Sequence, residues 1–215
     1  MFRDYSSAEY WDSRYEKDDG VFDWYFDWEE FFEENLASLG INAPVLIVGC
    51  GNSDMSFKME KAGITPIIST DISHTCINKM QKKFGGCYLP MDACYLQFRD
   101  GVFSCVIDKG TLDALLCCRH YEVPVTKMMT EIARVLEPGG IFIEITFGKT
   151  RERISVLENQ EILPWKLEKN ITVSVETGDT SVFIFKKSMS PSPINPNGKF
   201  LYLYDEILDS DDESD

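Results

Sequence analysis

Two glycines and three aspartates in the first half of the chain have the types and the spacing to hold a nucleoside. Gly49 and Gly51 follow the apolar run Val45–Val48, and Asp71 closes Ile67-Ile68-Ser69-Thr70. Asp92 follows Cys87–Met91, and Asp108 closes Val102–Ile107. Glycines leave no Cβ between a turning backbone and a ligand. Ser53 or Asp54 can cap the helix that follows, so that its free N–H groups face the same place. Asp71 stands 20 residues after Gly51, the separation at which a carboxylate accepts both hydroxyls of a ribose. Asp92 is placed to accept from the exocyclic amine of adenine. Any one of these acids also serves as a turn former or helix cap. Three of them, each in register with a strand end beside a glycine turn, form a much rarer pattern.

Both NAD and S-adenosylmethionine would offer a ribose to Asp71. A dinucleotide site favours G-x-G-x-x-G, and the last of those positions is Asp54 here. A carboxylate there opposes a pyrophosphate and tolerates a sulfonium that carries an ammonium group. The run Ala133-Arg134-Val135-Leu136-Glu137-Pro138-Gly139-Gly140 before the fifth strand is the second feature separating the two.

Such residues need a sheet whose strands end side by side. Strands are expected at Val45–Val48, Ile67–Thr70, Cys87–Met91, Val102–Ile107 and Ile141–Thr146. Helices are expected over residues 53–62, 73–84, 123–136 and 151–158, with Gly63 and Gly85-Gly86 as stops. Two further helices, 8–17 and 27–39, precede the first strand. Residues 167–176 and 181–187 read as a hairpin around Thr177-Gly178-Asp179-Thr180. This alternation predicts an α/β fold: a Rossmann-like, doubly wound, mostly parallel seven-stranded sheet with an antiparallel C-terminal β-hairpin. Three parts are expected: an N-terminal helical lid segment (1–40), a cofactor-binding core (41–187), and a flexible Pro-rich linker with an acidic tail (188–215).

The 215 residues suit one large domain, and no apolar run is long enough to span a membrane. The N-terminus lacks an apolar signal region. Seven cysteines without a C-x-x-C pair, and only two histidines, argue against zinc and for reduced thiols in a cytoplasmic setting. Monomer is the expected state. The net charge of −15 sits at the two ends: 12 acids against 3 bases in residues 1–40, and 7 acids without a base in 205–215. Such a surface disfavours direct nucleic-acid binding. It serves solubility, or attracts a basic protein.

These blocks together carry a resemblance. Val-Leu-Ile-Val-Gly-Cys-Gly-Asn-Ser (45–53), Thr-Asp-Ile-Ser (70–73), Met-Asp-Ala (91–93), Asp-Lys-Gly-Thr-Leu-Asp-Ala (108–114) and Arg-Val-Leu-Glu-Pro-Gly-Gly (134–140) resemble a class I S-adenosylmethionine-dependent methyltransferase. With Tyr-Trp-Asp-Ser-Arg-Tyr (10–15) and Asp-Trp-Tyr (23–25), the chain is similar to the group that includes the lysine methyltransferases of translation elongation factor 1-alpha. The resemblance implies S-adenosyl-L-methionine as cofactor, S-adenosyl-L-homocysteine as product, and elongation factor 1-alpha as a basic protein substrate. It implies that Trp11, Tyr15 and Trp24 close over the cofactor while Gly49 and Gly51 pass under its methionine part. Asp71 would hold the ribose with Ile72 against adenine, Asp92 and Ala93 would meet the adenine edge, and Lys109 would lie beside the cofactor. The Asn-Pro-Pro-Tyr-like motif of many other amino-group methyltransferases is replaced by Asp108-Lys109-Gly110, so that mechanism does not transfer.

Methyl transfer to an amine needs a neutral nucleophile in line with the sulfonium, and much of the catalysis is positioning and desolvation. Asp108 and Asp113 are the candidates for orienting the amine, although Asp113 equally suits a cap for the turn after it. A small-molecule methyltransferase and a catalytically silent cofactor-binding module are the alternatives, since one fold serves many acceptors.

Overall fold

The structure, a computed structural model, describes residues 5–18, 20–27, 39–148, 150–159, 162–175 and 178–190. The expected helix over 27–39 lies outside them except at its ends, as does the chain beyond 190. After α1 (Ala8–Glu16) come β1 (Val45–Val48), α2 (Met55–Lys61), β2 (Ile67–Asp71), α3 (His74–Phe84) and β3 (Cys87–Pro90). Then follow β4 (Phe103–Lys109), α4 (Thr111–Leu116), α5 (Glu122–Val135), β5 (Leu136–Phe147), α6 (Thr150–Leu157), β6 (Trp165–Val175) and β7 (Gly178–Lys187).

One seven-stranded sheet has the order β3-β2-β1-β4-β5-β7-β6. All four residues of β1 are buried, as a β-branched run between two parallel neighbours requires. It pairs with β2 through Val45↔Ile67 and with β4 through Val45↔Cys105, so all three strands end at one edge. β5 pairs antiparallel with β7, and β7 with β6. The pleat divides the core. Val45 and Ile47 pack with Met59, Ile77 and Met80 of α2 and α3. Leu46 and Val48 pack with Met128, Met129 and Ile132 of α5 on the other face.

Four expectations need correction. α4 was not anticipated, because no Ser, Thr or Asn precedes it; Gly110 at its start is left-handed, at φ 86°. Its first N–H groups are instead met by the carboxylate of Asp108. β4 accordingly runs two residues past Ile107, with Asp108 opposite Glu144 and Lys109 opposite Ile145. Pro138-Gly139-Gly140, expected as a turn, lies inside β5, where the register with β4 jumps from Phe103↔Leu136 to Cys105↔Ile141. A bulge of this kind is where a sheet accepts Pro and Gly. Asp179 and Thr180, expected in the hairpin turn, belong to the ladder, since Val175 already faces Gly178.

Buried Lys187 finishes α5 by donating from Nζ to the carbonyls of Ala133 and Leu136 at 2.6 and 2.5 Å. A cation at a helix C-terminus is well placed against the dipole.

Candidate active site

The floor is built by the ends of β1, β2 and β4. Gly49 turns out of β1 at φ 56°. A Cβ there would lie 1.9 Å from Oγ1 of Thr111, which itself donates to the Val48 carbonyl at 3.3 Å. Only glycine lets the turn meet the start of α4 this closely. Cys50 N–H donates to the Thr70 carbonyl at 2.8 Å and ties the turn to β2. The buried carboxylate of Asp71 accepts from Gly51 N–H on Oδ2 and from Ser73 N–H on Oδ1, both at 2.9 Å. Burial pushes its pKa up to about 6, against the pull of those two N–H groups.

The N-terminal segment covers this floor through polar links that span the chain. Oδ1 of Asp12, on α1, accepts from Ser73 Oγ at 2.5 Å and from Thr75 N–H at 2.9 Å, so α1 caps α3. Lys79 of α3 donates to the Tyr15 carbonyl at 2.6 Å. Asn52 donates to the Gly20 carbonyl at 2.9 Å, and its own carbonyl accepts from Phe22 N–H at 3.2 Å. Asp23 Oδ1 accepts from both the Ser53 hydroxyl and the Lys109 ammonium. Lys109 also donates to the Trp24 carbonyl at 3.2 Å. Burial lowers the Lys109 pKa, and Asp23 opposes that shift.

Between floor and segment lies a cavity of about 350 Å³, a size typical of small-ligand sites. Gly49, Gly51, Asp71 and Ile72 line it from the floor, and Asp92 and Ala93 from the loop after β3. Trp11, Tyr15 and Trp24 line it from the N-terminal segment, and Lys109 from the end of β4. The lining suits a sulfonium nucleoside. Asp71 retains lone pairs for a diol, Ile72 offers an apolar face, and the aromatic rings cover the rest. Asp92 also accepts from Cys94 N–H at 2.8 Å, which fixes its carboxylate at the rim. Lys109, expected beside the cofactor, also bonds the segment through its ammonium.

Asp108 and Asp113 do not line the cavity. Asp108 is 0% exposed, and its oxygens accept from Thr111 N–H at 3.0 Å and Leu112 N–H at 2.9 Å. Burial lifts its pKa to about 6 against those bonds. Its neighbour Glu144 is also fully buried and pushed well up, by burial and then by Asp108. Asp113 is saturated: Oδ1 accepts from Thr146 Oγ1 and Arg153 at 2.7 and 2.8 Å, and Oδ2 from Tyr25 Oη and Phe147 N–H at 2.5 and 3.1 Å. Neither carboxylate is arranged to touch an acceptor amine. Asp108 starts α4, and Asp113 ties α4 to β5, α6 and the N-terminal segment.

Sequence reasoning missed Asp12, Asn52 and Asp23 as fasteners. The only signal was their position inside the two N-terminal motifs and the Asn-Ser after Gly51. Among the described residues no helix is long and apolar enough to cross a membrane. None of the seven cysteines is in a disulfide.

Residues 46–143 match the family model described as a methyltransferase domain. Over 166 residues the chain is 32% identical to the EEF1A lysine methyltransferase 4 of Mus musculus, covering 70% of this chain and 64% of that one. It is 33% identical over 156 residues to the eEF1A lysine and N-terminal methyltransferase of Mus musculus, covering 68% of this chain and 22% of the other. It thus spans about a fifth of the longer relative and under two thirds of the shorter one. The magnesium protoporphyrin IX methyltransferase of Synechocystis PCC 6803, solved with bound S-adenosylmethionine, superposes with a TM-score of 0.63 at 15% identity over 87% of this chain and 99% of that one. That likeness is one of fold.

A sheet that reverses direction only at its last strands, a glycine turn facing an acidic β2 end, and the matched domain define the class: residues 46–143 are a methyltransferase domain of the S-adenosylmethionine-dependent, class I kind. Its cofactor is S-adenosylmethionine. The curated relatives named above are eEF1A methyltransferases, of which this chain spans only part.

Proposed function

We propose that this chain is an S-adenosylmethionine-dependent protein-lysine N-methyltransferase acting on translation elongation factor 1-alpha in the cytoplasm, as a monomer. The observation that carries the proposal is the cavity at the ends of β1, β2 and β4, lined by every residue the resemblance assigns to the cofactor. The relatives' names supply the acceptor, and the acidic N-terminal segment is suited to a basic protein.

When bound, the cofactor supplies a methyl group on a sulfonium, activated for in-line displacement by a neutral amine. Asp71 would hold the ribose hydroxyls, Ile72 and Ala93 would pack on adenine, and Asp92 would accept from its amine. Gly49 and Gly51 would leave room for the methionine part. Trp11, Tyr15 and Trp24 would exclude water, which lowers an approaching lysine's pKa by desolvation and favours its neutral form. The Lys109–Asp23 pair would hold the segment shut. Residues 1–40 act in this reading as a lid on the 41–187 core, and 188–215 as a linker and tail.

The test is transfer of tritiated methyl from S-adenosylmethionine to recombinant elongation factor 1-alpha, with mass spectrometry of the labelled peptide. Label on one lysine supports the reading. Label only on small molecules of a cell extract, with none on protein, refutes it in favour of a small-molecule enzyme. An absence of label anywhere refutes catalysis itself.

A further inference from the structure

Tyr25 has no part in the cofactor site, yet the fold goes to some length to hold it. It is one of two non-glycine residues with positive φ among those described, at 72°. The Phe26 N–H donates to the Trp24 carbonyl at 2.9 Å, which makes Tyr25 the centre of a tight three-residue turn. Such a turn is rare and strained for a residue with a Cβ. Three features keep it there. Its hydroxyl donates to Asp113 at 2.5 Å. Its ring lies against Gly110, where a Cβ would stand 3.4 Å from both the ring edge and the hydroxyl. Its other neighbour is Phe147, stacked at 6.5 Å between centroids with the planes 13° apart.

The position of this ring gives the strain a use. Gly110 lines the cavity next to Lys109, at the β4 end, whereas Asp71, Ile72 and Asp92 line the end suited to the nucleoside. An acceptor must therefore arrive on the β4 side. There Trp24 and Phe147 are 43% and 46% exposed, and Tyr25 sits between them, 6.4 and 6.5 Å from each ring. Of these rings Trp24 lines the cavity, and Tyr25 reaches its lining through Gly110 and carries the aromatic surface on to Phe147. Three linked rings beside a cationic-cofactor cavity suit an alkyl chain ending in an ammonium. The stem packs on ring faces, and the charged end is attracted by their quadrupoles. Asp113 cannot bind that ammonium itself, since four donors already occupy its oxygens.

We propose that Tyr25 is the acceptor-binding residue, its ring held by Asp113 and Gly110 as the wall on which the target lysine side chain is laid, with Phe147 and Trp24 as the outer lips. This rests on the lysine-methyltransferase reading above and adds the residue that recognises the acceptor.

The test uses the full chain loaded with S-adenosylhomocysteine and labelled with ¹³C in Tyr and Phe rings. It is titrated with n-butylammonium chloride, and with n-butanol as the neutral analogue. Ring signals of Tyr25 and Phe147, assigned with Tyr25→Leu and Phe147→Leu, are expected to shift with n-butylammonium and much less with n-butanol, while buried Tyr88 stays still. Static Tyr25 signals, or equal shifts with the alcohol, overturn the proposal. With elongation factor 1-alpha as acceptor, Tyr25→Leu is expected to raise KM about tenfold, Tyr25→Phe about threefold, and Phe147→Leu a few-fold, with cofactor affinity by calorimetry within about twofold of wild type. An unchanged KM in Tyr25→Leu and Phe147→Leu also overturns it. Should n-butylammonium shift Tyr25 while the wild type leaves the elongation factor unmethylated, the wall stands and the identity of the acceptor falls.

Discussion

The floor of the cavity is made by strand ends, and its cover is made by a segment with no strand at all. Gly49, Gly51 and Asp71 are fixed by backbone ladders and by one another within about 20 residues of chain. Trp11, Tyr15 and Trp24 are fixed by side-chain bonds of Asp12 and Asp23 on the segment to Ser73 and Lys109 on the core, and of Asn52 on the core to the Gly20 carbonyl. The ladders persist without any ligand. The bonds of the cover are few and separable, and local opening of such a segment requires less free energy than opening the sheet. A cofactor that is enclosed on both sides needs one side able to open, and the difference in construction identifies which.

If that contrast is real, damage to the floor must be the more severe. Gly49→Ala puts a Cβ into Thr111 and an L-residue at φ 56°. The strain and overlap together are expected to remove about 2–5 kcal/mol. Thermal denaturation should fall by roughly 10 °C on the usual scaling for this size, and calorimetry should detect no cofactor binding. A melting point within a degree of wild type would break the contrast at its first step. Asp71→Asn keeps the shape and removes the charge that would accept two ribose hydroxyls, so cofactor affinity should drop about 100-fold.

The same carboxylate makes cofactor binding depend on pH. Its pKa stands at about 6 because of burial, and ribose hydroxyls require the ionised form. Affinity is therefore expected to be flat above that value and to weaken about tenfold per unit below it. For the cofactor-free protein the sign is the reverse. A buried acid whose pKa is raised from 3.8 to about 6 binds more protons folded than unfolded between those values, so its contribution to stability declines as pH rises through that window. A calorimetric affinity unchanged at pH 5 would remove Asp71 from the ribose.

The two regions also differ in how far they can be read from the chain. The apolar runs of β1, β2 and β4, the glycine turn and the acid that closes β2 all speak through local pattern, and the structure puts them together as expected. Asp23 is bound by Ser53 and Lys109, 30 and 86 residues away. No periodicity connects such positions, so its role became visible only in three dimensions. Trp11, Tyr15 and Trp24 were reached through family likeness, not through spacing. Asp113 illustrates the converse limit. An acid near a strand end reads as a catalytic candidate, but the four donors that saturate it come from β5, α6 and the segment before β1. α4 was hidden for a related reason, since its cap is a carboxylate at the end of the preceding strand.

On the cover, the largest effect belongs to Asp23. It and Lys109 are buried, with side chains 10% and 7% exposed. Asp23→Ala leaves a desolvated ammonium unpaired and should cost about 3 kcal/mol. The cofactor should leave about tenfold faster by stopped flow, with a smaller change in its association rate. Combining Asp23→Ala with Lys109→Met replaces the pair by an apolar side chain. Much of the stability should return, because the orphaned charge is gone, but the fast release should persist, because the fastener is still missing. Recovery of both would mean that the pair serves packing alone and that the cover is not a separable part.

The smallest and most discriminating effect is expected at Asp12. Its carboxylate caps α3 from α1, but Ser73 Oγ still accepts from Cys76 N–H at 3.0 Å when Asp12 is removed. Asp12→Ala should therefore cost only about 1 kcal/mol, a fall of roughly 2–4 °C in melting temperature. Burial acts to raise the Asp12 pKa, yet the bonds from Ser73 and Thr75 outweigh it and hold the carboxyl below 3.8. A lowered acid stabilises the fold above its unfolded pKa and ceases to do so as pH falls through its folded value. The difference in melting temperature between wild type and Asp12→Ala should thus be constant near neutrality and begin to close only below pH 3.8. A gap that stays open in acid would assign the effect to packing of α1 on α3, around Tyr15 and Ile77. The N-terminal segment would then be anchored at its start by apolar contact, and only the stretch from Gly20 to Tyr25 would be free to open.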